Sequence, residues 1–167
     1  MESEFSGQHK PHKLSKLKLN LADLQEVWNE HQTLLDVGCN IGNIYRALGK
    51  PRNYIGIDIC EAYISQARKE HPEARFEVAD LFDLKYSADI VLCSRVLMHL
   101  DNFMDAIQHL KRAGRCVLFV PVSGDSLTKE QYEEGVSYFR TFSRKTLRKC
   151  GPCTIYAHEP YSTVIYD

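Results

Sequence analysis

The stretch Leu34-Leu35-Asp36-Val37-Gly38-Cys39-Asn40-Ile41-Gly42 reads as a buried strand running directly into a turn and then a helix. Small or turn-tolerant residues recur at Gly38, Asn40 and Gly42, and Asn is among the few residues that tolerate positive φ. Such a turn lets a ligand approach bare backbone. Gly38 is followed by Asn40 and Gly42 with no glycine three residues further on, so the G-x-G-x-x-G pattern of dinucleotide sites is absent.

Outward from this turn, short apolar runs at 33–37, 54–57, 75–78, 89–93 and 115–120 predict strands, and segments 44–48, 61–70 and 101–112 predict helices. Strand, helix, strand in repetition means parallel strands joined by crossovers. The link 81–87 is short, 128–150 is expected to be a long helical region, and runs 154–157 and 162–166 suit an antiparallel hairpin closing the sheet. Before the first strand, Leu14, Leu17, Leu21, Leu24 and Trp28 share one helical face, predicting a helix over 14–31. Residues 1–13 are polar and expected to form a mobile arm, leaving one domain over 14–167. The expected fold is α/β: a doubly wound, seven-stranded, mostly parallel sheet with helices on both faces.

Composition agrees. The chain has 167 residues, 44% apolar and 26% charged, which is ordinary for a soluble globule. A formal charge of -1 supplies no global field toward nucleic acid or an anionic membrane. No apolar run approaches the ~20 residues of a membrane helix, and the first ten residues are unlike a signal peptide, so a cytoplasmic location is expected. Cys39, Cys60, Cys93 and Cys116 sit in or beside apolar runs, which fits buried, reduced thiols. Nothing in the sequence specifies an oligomeric state.

Ligands of doubly wound sheets bind outside the carboxyl ends of the strands. Three acids fall at three consecutive strand ends: Asp36, Asp58 and Asp80. Asp58 follows Asp36 by 22 residues, close to the ~20 expected of an acid that accepts from ribose hydroxyls. Helix capping is the structural alternative for each acid taken singly.

On these residues the sequence resembles the class I S-adenosylmethionine-dependent methyltransferases. The stretch 34–42 is similar to the family's first motif, Gly56-Ile57-Asp58 to its second-strand acid, and Val78-Ala79-Asp80-Leu81 to its adenine-contacting loop. The segment 89–100 is similar to the fourth strand of the family's small-molecule branch. The resemblance implies that Gly38, Cys39, Asn40 and Gly42 pass backbone along the methionine part of S-adenosylmethionine, with Asp36 near its amino group. It implies that Asp58 holds the ribose, Ile59 packs on the adenine, Asp80 and Leu81 meet the adenine edge, and Ser94 joins the cofactor contacts. S-adenosylhomocysteine is the implied product.

Methyl transfer from a sulfonium is an in-line displacement that needs alignment and exclusion of water more than a covalent catalyst. A hydroxyl acceptor needs its proton removed, and His99, after the fourth strand, is the first candidate base, with Arg95 orienting the acceptor. A partly buried helix-entry histidine is the alternative for His99. His158, Glu159 and Tyr161 are further candidates on the same edge, and the loop 122–129 is expected to aid recognition. The fourth strand is followed by Cys93-Ser94-Arg95, not by the Asn-Pro-Pro-Tyr of base-amino methylation, a Pro-Cys pair or a metal-binding acid, so no metal is expected.

Two signals have bland readings. Cys150-Gly151-Pro152-Cys153 follows a predicted helix, the reverse of a redox site, and reads as a helix stop. Arg140, Arg144 and Arg148 with Lys145 and Lys149 form a basic stripe if 128–150 is helical. The stripe and the basic arm leave an RNA methyltransferase as one rival, disfavoured by the overall charge. A catalytically silent cofactor-binding subunit needing a partner is the other. The preferred partner is a small-molecule acceptor.

Overall fold

A computed structural model describes residues 17–124, 129–131 and 139–167. The expected arm over 1–13, Leu14 and positions 125–128 of the expected recognition loop lie outside the described residues. Along the chain come α1 (Lys18–Val27), β1 (Leu34–Val37), α2 (Asn43–Ala47), β2 (Tyr54–Asp58), α3 (Glu61–Glu70) and β3 (Arg75–Val78). There follow β4 (Ile90–Ser94), α4 (Phe103–Ala113), β5 (Arg115–Val120), β6 (Lys129–Gln131), β7 (Phe139–Thr141), α5 (Arg144–Lys149), β8 (Thr154–Tyr156) and β9 (Ser162–Tyr166). Single 3₁₀ turns occupy Leu81–Asp83 and Leu97–His99.

The seven-stranded sheet has the order β3-β2-β1-β4-β5-β9-β8. The first five strands are parallel, and β9 runs antiparallel to both β5 and β8. The α/β doubly wound sheet with its C-terminal hairpin is therefore as the sequence predicts. Its order reverses between β1 and β4, which is where such sheets open a crevice.

Alternate side chains on each strand face opposite layers, and the core divides accordingly. Leu35 and Val37 of β1, Val91 and Cys93 of β4, and Cys116, Leu118 and Val120 of β5 pack with Ala106, Ile107 and Leu110 of α4 and Leu147 of α5. On the other face Leu34, Leu92, Val117, Phe119 and Ile165 pack with Leu24 of α1, Tyr45 of α2 and Ile64 and Ala67 of α3. Asp36 shares the parity of Leu34, so its carboxylate enters this second layer. No helix among the described residues is long and apolar enough to cross a membrane.

The N-terminal helix buries Leu17, Leu24 and Trp28 as its spacing predicts, but it stops at Val27 rather than near position 31. Trp28 is extended, at φ -127° and ψ 141°, and Asn29 and Gln32 close a turn through side-chain and backbone hydrogen bonds. The expectation of a long helix over 128–150 is wrong. Lys129–Gln131 and Phe139–Thr141 pair as antiparallel strands, and only Arg144–Lys149 is helical. The run Phe139 to Phe142 is rich in aromatic and β-branched residues, which favour strands. Ser143, with its side chain accepting from Thr146 N, starts a new helix rather than continuing an old one. The basic stripe thereby loses Arg140, while Arg144, Lys145, Arg148 and Lys149 remain together on α5. Arg140 lies on β7, only 5% exposed, bonded to Leu100 O and over the Phe103 ring with Cζ 4.6 Å from its centroid.

Candidate active site

The turn after β1 is built on two glycines. Gly38 has φ 77°, and a Cβ there would meet Val96 Cγ2 at 2.1 Å. Gly42 has φ 81° and closes the turn against Phe76 and His71. Asn40, at φ 54°, adopts the left-handed conformation that its residue type permits. The backbone N–H groups of Gly38 and Cys39 both donate to Ile57 O, at 2.8 and 3.0 Å, folding the turn over the end of β2. Cys39 is buried with its thiol inward, and burial pushes that thiol well above its ordinary pKa. The thiol is therefore not poised as a nucleophile.

The three acids have different surroundings. Asp58 accepts from Asn40 N and Cys60 N, each at 2.9 Å and on a different oxygen. Asp80 is exposed and accepts from Phe82 N at 2.8 Å. Capping describes Asp80, which is the N-cap of the 3₁₀ turn, whereas Asp58 fastens two loop N–H groups and caps no helix; each carboxylate oxygen retains a second lone pair. Asp36 caps nothing. It is 1% exposed and accepts from Tyr54 Oη at 2.7 Å through Oδ2, while its Oδ1 has no partner. Burial raises its pKa from 3.8 to about 7; the Tyr54 hydrogen bond opposes that rise, the Asp58 charge adds to it and Arg95 opposes it.

Around these acids Ile59 stands out at 72% exposure beside Asp58, an apolar face at a strand end. Leu81 is packed into the core, leaving backbone at that loop. Ser94, at the end of β4, is buried and its Oγ has no partner. Arg95 follows at φ 61°, its Nε buried and donating to nothing. His99 is exposed on the 3₁₀ turn that comes next. The sheet thus brings Asp36, Ser94 and Arg95 together at the β1–β4 reversal, with Asp58 and Ile59 one strand over and Asp80 two strands over.

The last hairpin and the N-terminal helix complete the edge. Asn20 Nδ2 donates to Tyr161 O and Thr163 Oγ1, both at 2.9 Å, and its Oδ1 has no partner. His158 Nε2 lies 2.6 Å from Asp23 Oδ2. Glu159 is exposed beside it. These ties across the sheet edge were beyond sequence reasoning, which singled out His158 and Tyr161 but not their partners. Asp23 carries no local signal, whereas Asn20, fully buried between Leu17 and Leu24 on the apolar face of α1, is a polar residue at a core position.

Buried polar atoms normally find partners. Those that do not, among the described residues, belong to Asn20, Asp36, His71, Ser94, Arg95 and Ser123. All but His71 lie at the carboxyl edge of the sheet or on α1 where it crosses that edge. An open depression along the outside of β3, lined by Arg68, Ala74, Arg75, Phe76, Glu77 and Val78, has no such atom. Its charges are matched within it, Arg75 by Glu77 and Arg68 by Phe76 O. The strand ends, not this depression, are the candidate site.

All six cysteines are unpaired thiols, and burial raises the pKa of both Cys150 and Cys153. Cys150 caps the end of α5, where its carbonyl accepts from Gln108 Nε2 and Lys111 Nζ.

Comparison with known proteins agrees with this fold. Residues 35–116 match the sequence model of the family described as Methyltransferase domain. No curated protein matches the sequence. Among solved structures, magnesium protoporphyrin IX methyltransferase from Synechocystis PCC 6803, with bound SAH, is 19% identical, with 90% of this chain and 80% of that chain covered and a TM-score of 0.67. The PH0226 protein of Pyrococcus horikoshii OT3 is 15% identical over 94% of this chain and 91% of its own, with a TM-score of 0.70. The N-terminal domain of EvdMO1, solved in the presence of SAH and D-fucose, is 16% identical over 98% and 87%, with a TM-score of 0.65. At these identities the likeness is one of fold. Residues 35–116 therefore carry a methyltransferase domain, and the sheet order is that of the class I, Rossmann-like methyltransferase fold.

Proposed function

We propose that the chain transfers a methyl group from S-adenosylmethionine to an oxygen or nitrogen of a small-molecule acceptor and releases S-adenosylhomocysteine. The observation that carries this reading is the gathering of partnerless buried polar atoms at the carboxyl edge, with Asp36 Oδ1 and Ser94 Oγ at its centre. A donor such as an ammonium fits Asp36 Oδ1, because it supplies both the missing hydrogen bond and the countercharge that burial makes costly. When bound, the sulfonium supplies an electrophilic methyl carbon.

The protein's own residues bind and align. Asp58 accepts from ribose hydroxyls while its backbone donors, Asn40 N and Cys60 N, fix its orientation. Ile59 offers its exposed face to the adenine, and Asp80 with the backbone at Leu81 meets the adenine edge. Gly38, Cys39, Asn40 and Gly42 present backbone toward the methionine part. His99 takes the proton from a hydroxyl acceptor, and Arg95 fixes the acceptor or the cofactor by charge. The proteins of similar fold include a magnesium protoporphyrin IX methyltransferase and a domain solved in the presence of D-fucose, which supports a small-molecule acceptor. An RNA acceptor loses support, since Arg140 is buried on β7 rather than displayed on a basic stripe.

Calorimetric titration with S-adenosylmethionine and with S-adenosylhomocysteine tests the reading. Saturable 1:1 binding in the micromolar range, about -8 kcal/mol, is expected. Absence of binding to the folded chain refutes it.

A further inference from the structure

The turn from α5 into β8 holds an ammonium without a carboxylate, set between two thiols. β9 runs antiparallel to β5, and β8 antiparallel to β9, so β8 begins at the amino edge of the sheet, opposite the strand-end acids. The turn there is Cys150-Gly151-Pro152-Cys153. Lys111, reaching over from α4, donates to Cys150 O at 2.7 Å, and its Nζ lies 5.0 Å from the centroid of the Tyr166 ring. A Cβ on Gly151 would meet Lys111 Nζ at 2.5 Å, so the bare glycine, at φ 132°, is what admits the ammonium. Among the described residues no ion pair involves Lys111.

The two thiols differ in access. Cys150 is 3% exposed, whereas Cys153 is half-buried. The Tyr166 hydroxyl, which donates to Leu147 O at 2.8 Å, is in hydrogen-bond reach of Cys153 and near Cys150. Burial raises both thiols above their ordinary range; Lys111 opposes it at Cys150, and Arg148, Tyr166 and Lys111 oppose it at Cys153. In redox proteins with this spacing a helix N-terminus supplies the positive field. Here the pair follows a helix C-terminus, and Lys111, seated on its last carbonyl, supplies that field instead. Arg148 and Lys149 are exposed beside the turn, which favours an anionic reagent over a neutral one. A partly exposed thiol among cations, with a second thiol three positions away, is the arrangement in which one sulfur attacks and the other resolves.

We propose that Cys150 and Cys153 form a dithiol modification site, closed to a disulfide by small anionic disulfides of the glutathione type, with Lys111 as countercharge to the attacking sulfur. Cys153, as thiolate, attacks one sulfur of the reagent, forms a mixed disulfide and expels the first reagent thiolate. Cys150, having given its proton to solvent, attacks the Cys153 sulfur, closes the Cys150–Cys153 bond and expels the second. The protein dithiol loses two electrons and two protons, and the reagent gains them as two thiols.

The test incubates the full chain with oxidised glutathione or with the neutral hydroxyethyl disulfide, blocks remaining thiols by alkylation and reads intact mass and peptide map by mass spectrometry. The wild type is expected to become lighter by the mass of two hydrogens at the peptide that bridges Cys150 and Cys153. Cys150→Ser is expected to stop at the mixed disulfide on Cys153, and Cys153→Ser to leave Cys150 reduced. Lys111→Met is expected to slow bridging about ten-fold with either reagent. Arg148→Met, at an exposed position, is expected to slow oxidised glutathione more than the neutral reagent. Folding of each variant is checked by far-UV circular dichroism. Absence of the Cys150–Cys153 bridge from the wild type overturns the proposal, as does an unchanged rate in folded Lys111→Met. Should Lys111→Met not fold, equal rates for wild type and Arg148→Met with oxidised glutathione overturn it.

Discussion

Replacing Asp36 by Asn reports directly on what the buried carboxylate does. Its pKa is raised from 3.8 to about 7 in the folded protein, so the native state holds a proton that the unfolded chain has released. A raised folded pKa contributes stability that is fully present below the unfolded pKa and is lost as pH rises through the folded one. The whole difference corresponds to about 4 kcal/mol, of which about 3 kcal/mol is lost between about pH 5 and about pH 8. Asn at this position still accepts from Tyr54 and does not titrate, so its stability is expected to be flat over that window. Urea unfolding followed by far-UV circular dichroism across the range supplies both curves. The same linkage governs binding. An ammonium that pairs with ionised Asp36 binds in proportion to the ionised fraction, so S-adenosylhomocysteine affinity is expected to rise about ten-fold from about pH 6 to about pH 8 in the wild type. The Asn variant is expected to bind weakly at every pH. Parallel stability curves for wild type and variant, or an affinity that ignores pH, would refute the reasoning.

Other substitutions separate binding, catalysis and fold. Asp58→Ala removes the acceptor for both Asn40 N and Cys60 N, and is expected to cost about 1–3 kcal/mol of stability as well as most cofactor affinity; wild-type affinity by calorimetry would remove Asp58 from the site. His99→Gln is expected to leave S-adenosylhomocysteine binding intact and to lower turnover on a hydroxyl acceptor about a hundred-fold, and equal turnover would make His99 structural. Gly38→Ala must hold a Cβ at φ 77° and 2.1 Å from Val96 Cγ2, for an expected loss of about 2–4 kcal/mol. Adding Val96→Ala should recover part of that loss, and strictly additive urea midpoints would argue against the clash. Arg95→Gly relieves a left-handed side-chain-bearing residue and is expected to gain about 1 kcal/mol while weakening ligand binding; a loss of stability would show that the contact of the guanidinium with the Tyr161 ring outweighs the strain.

The parallel strands were legible because each is a short apolar run set between helical segments, and Asp36, Asp58 and Asp80 were legible because strand ends locate them. The segment 128–150 was misread because Arg140, Arg144 and Arg148 repeat at helical spacing, a pattern that a strand followed by a separate helix reproduces by chance. The aromatic and β-branched run from Phe139 to Phe142 was the opposing signal, and tertiary pairing with β6 and the end of β5 decided the outcome. The electrostatic character of the site was legible only in part. That Asp36 is acidic is plain in the sequence, but its burial against Tyr54 depends on the β1–β2 register, which sets Asp36 beside Gly56. The pair of His158 with Asp23 spans 135 positions, and no local pattern reports a contact of that kind.

The clasp of α1 on the last hairpin also orders events during synthesis. Asn20 meets Thr163 across 143 positions, so that contact waits until β9 has emerged and paired with β5, when the sheet has already closed most of the intervening loop. A nascent chain that already contains the first motif and all three strand-end acids still lacks the partners of Asn20 and Asp23, and its helix has nothing at this edge to dock on. The assembled edge is therefore a late product of folding, and a chain arrested before Ser162 is expected to carry the strand-end turns in a state more open to proteolysis than the finished protein.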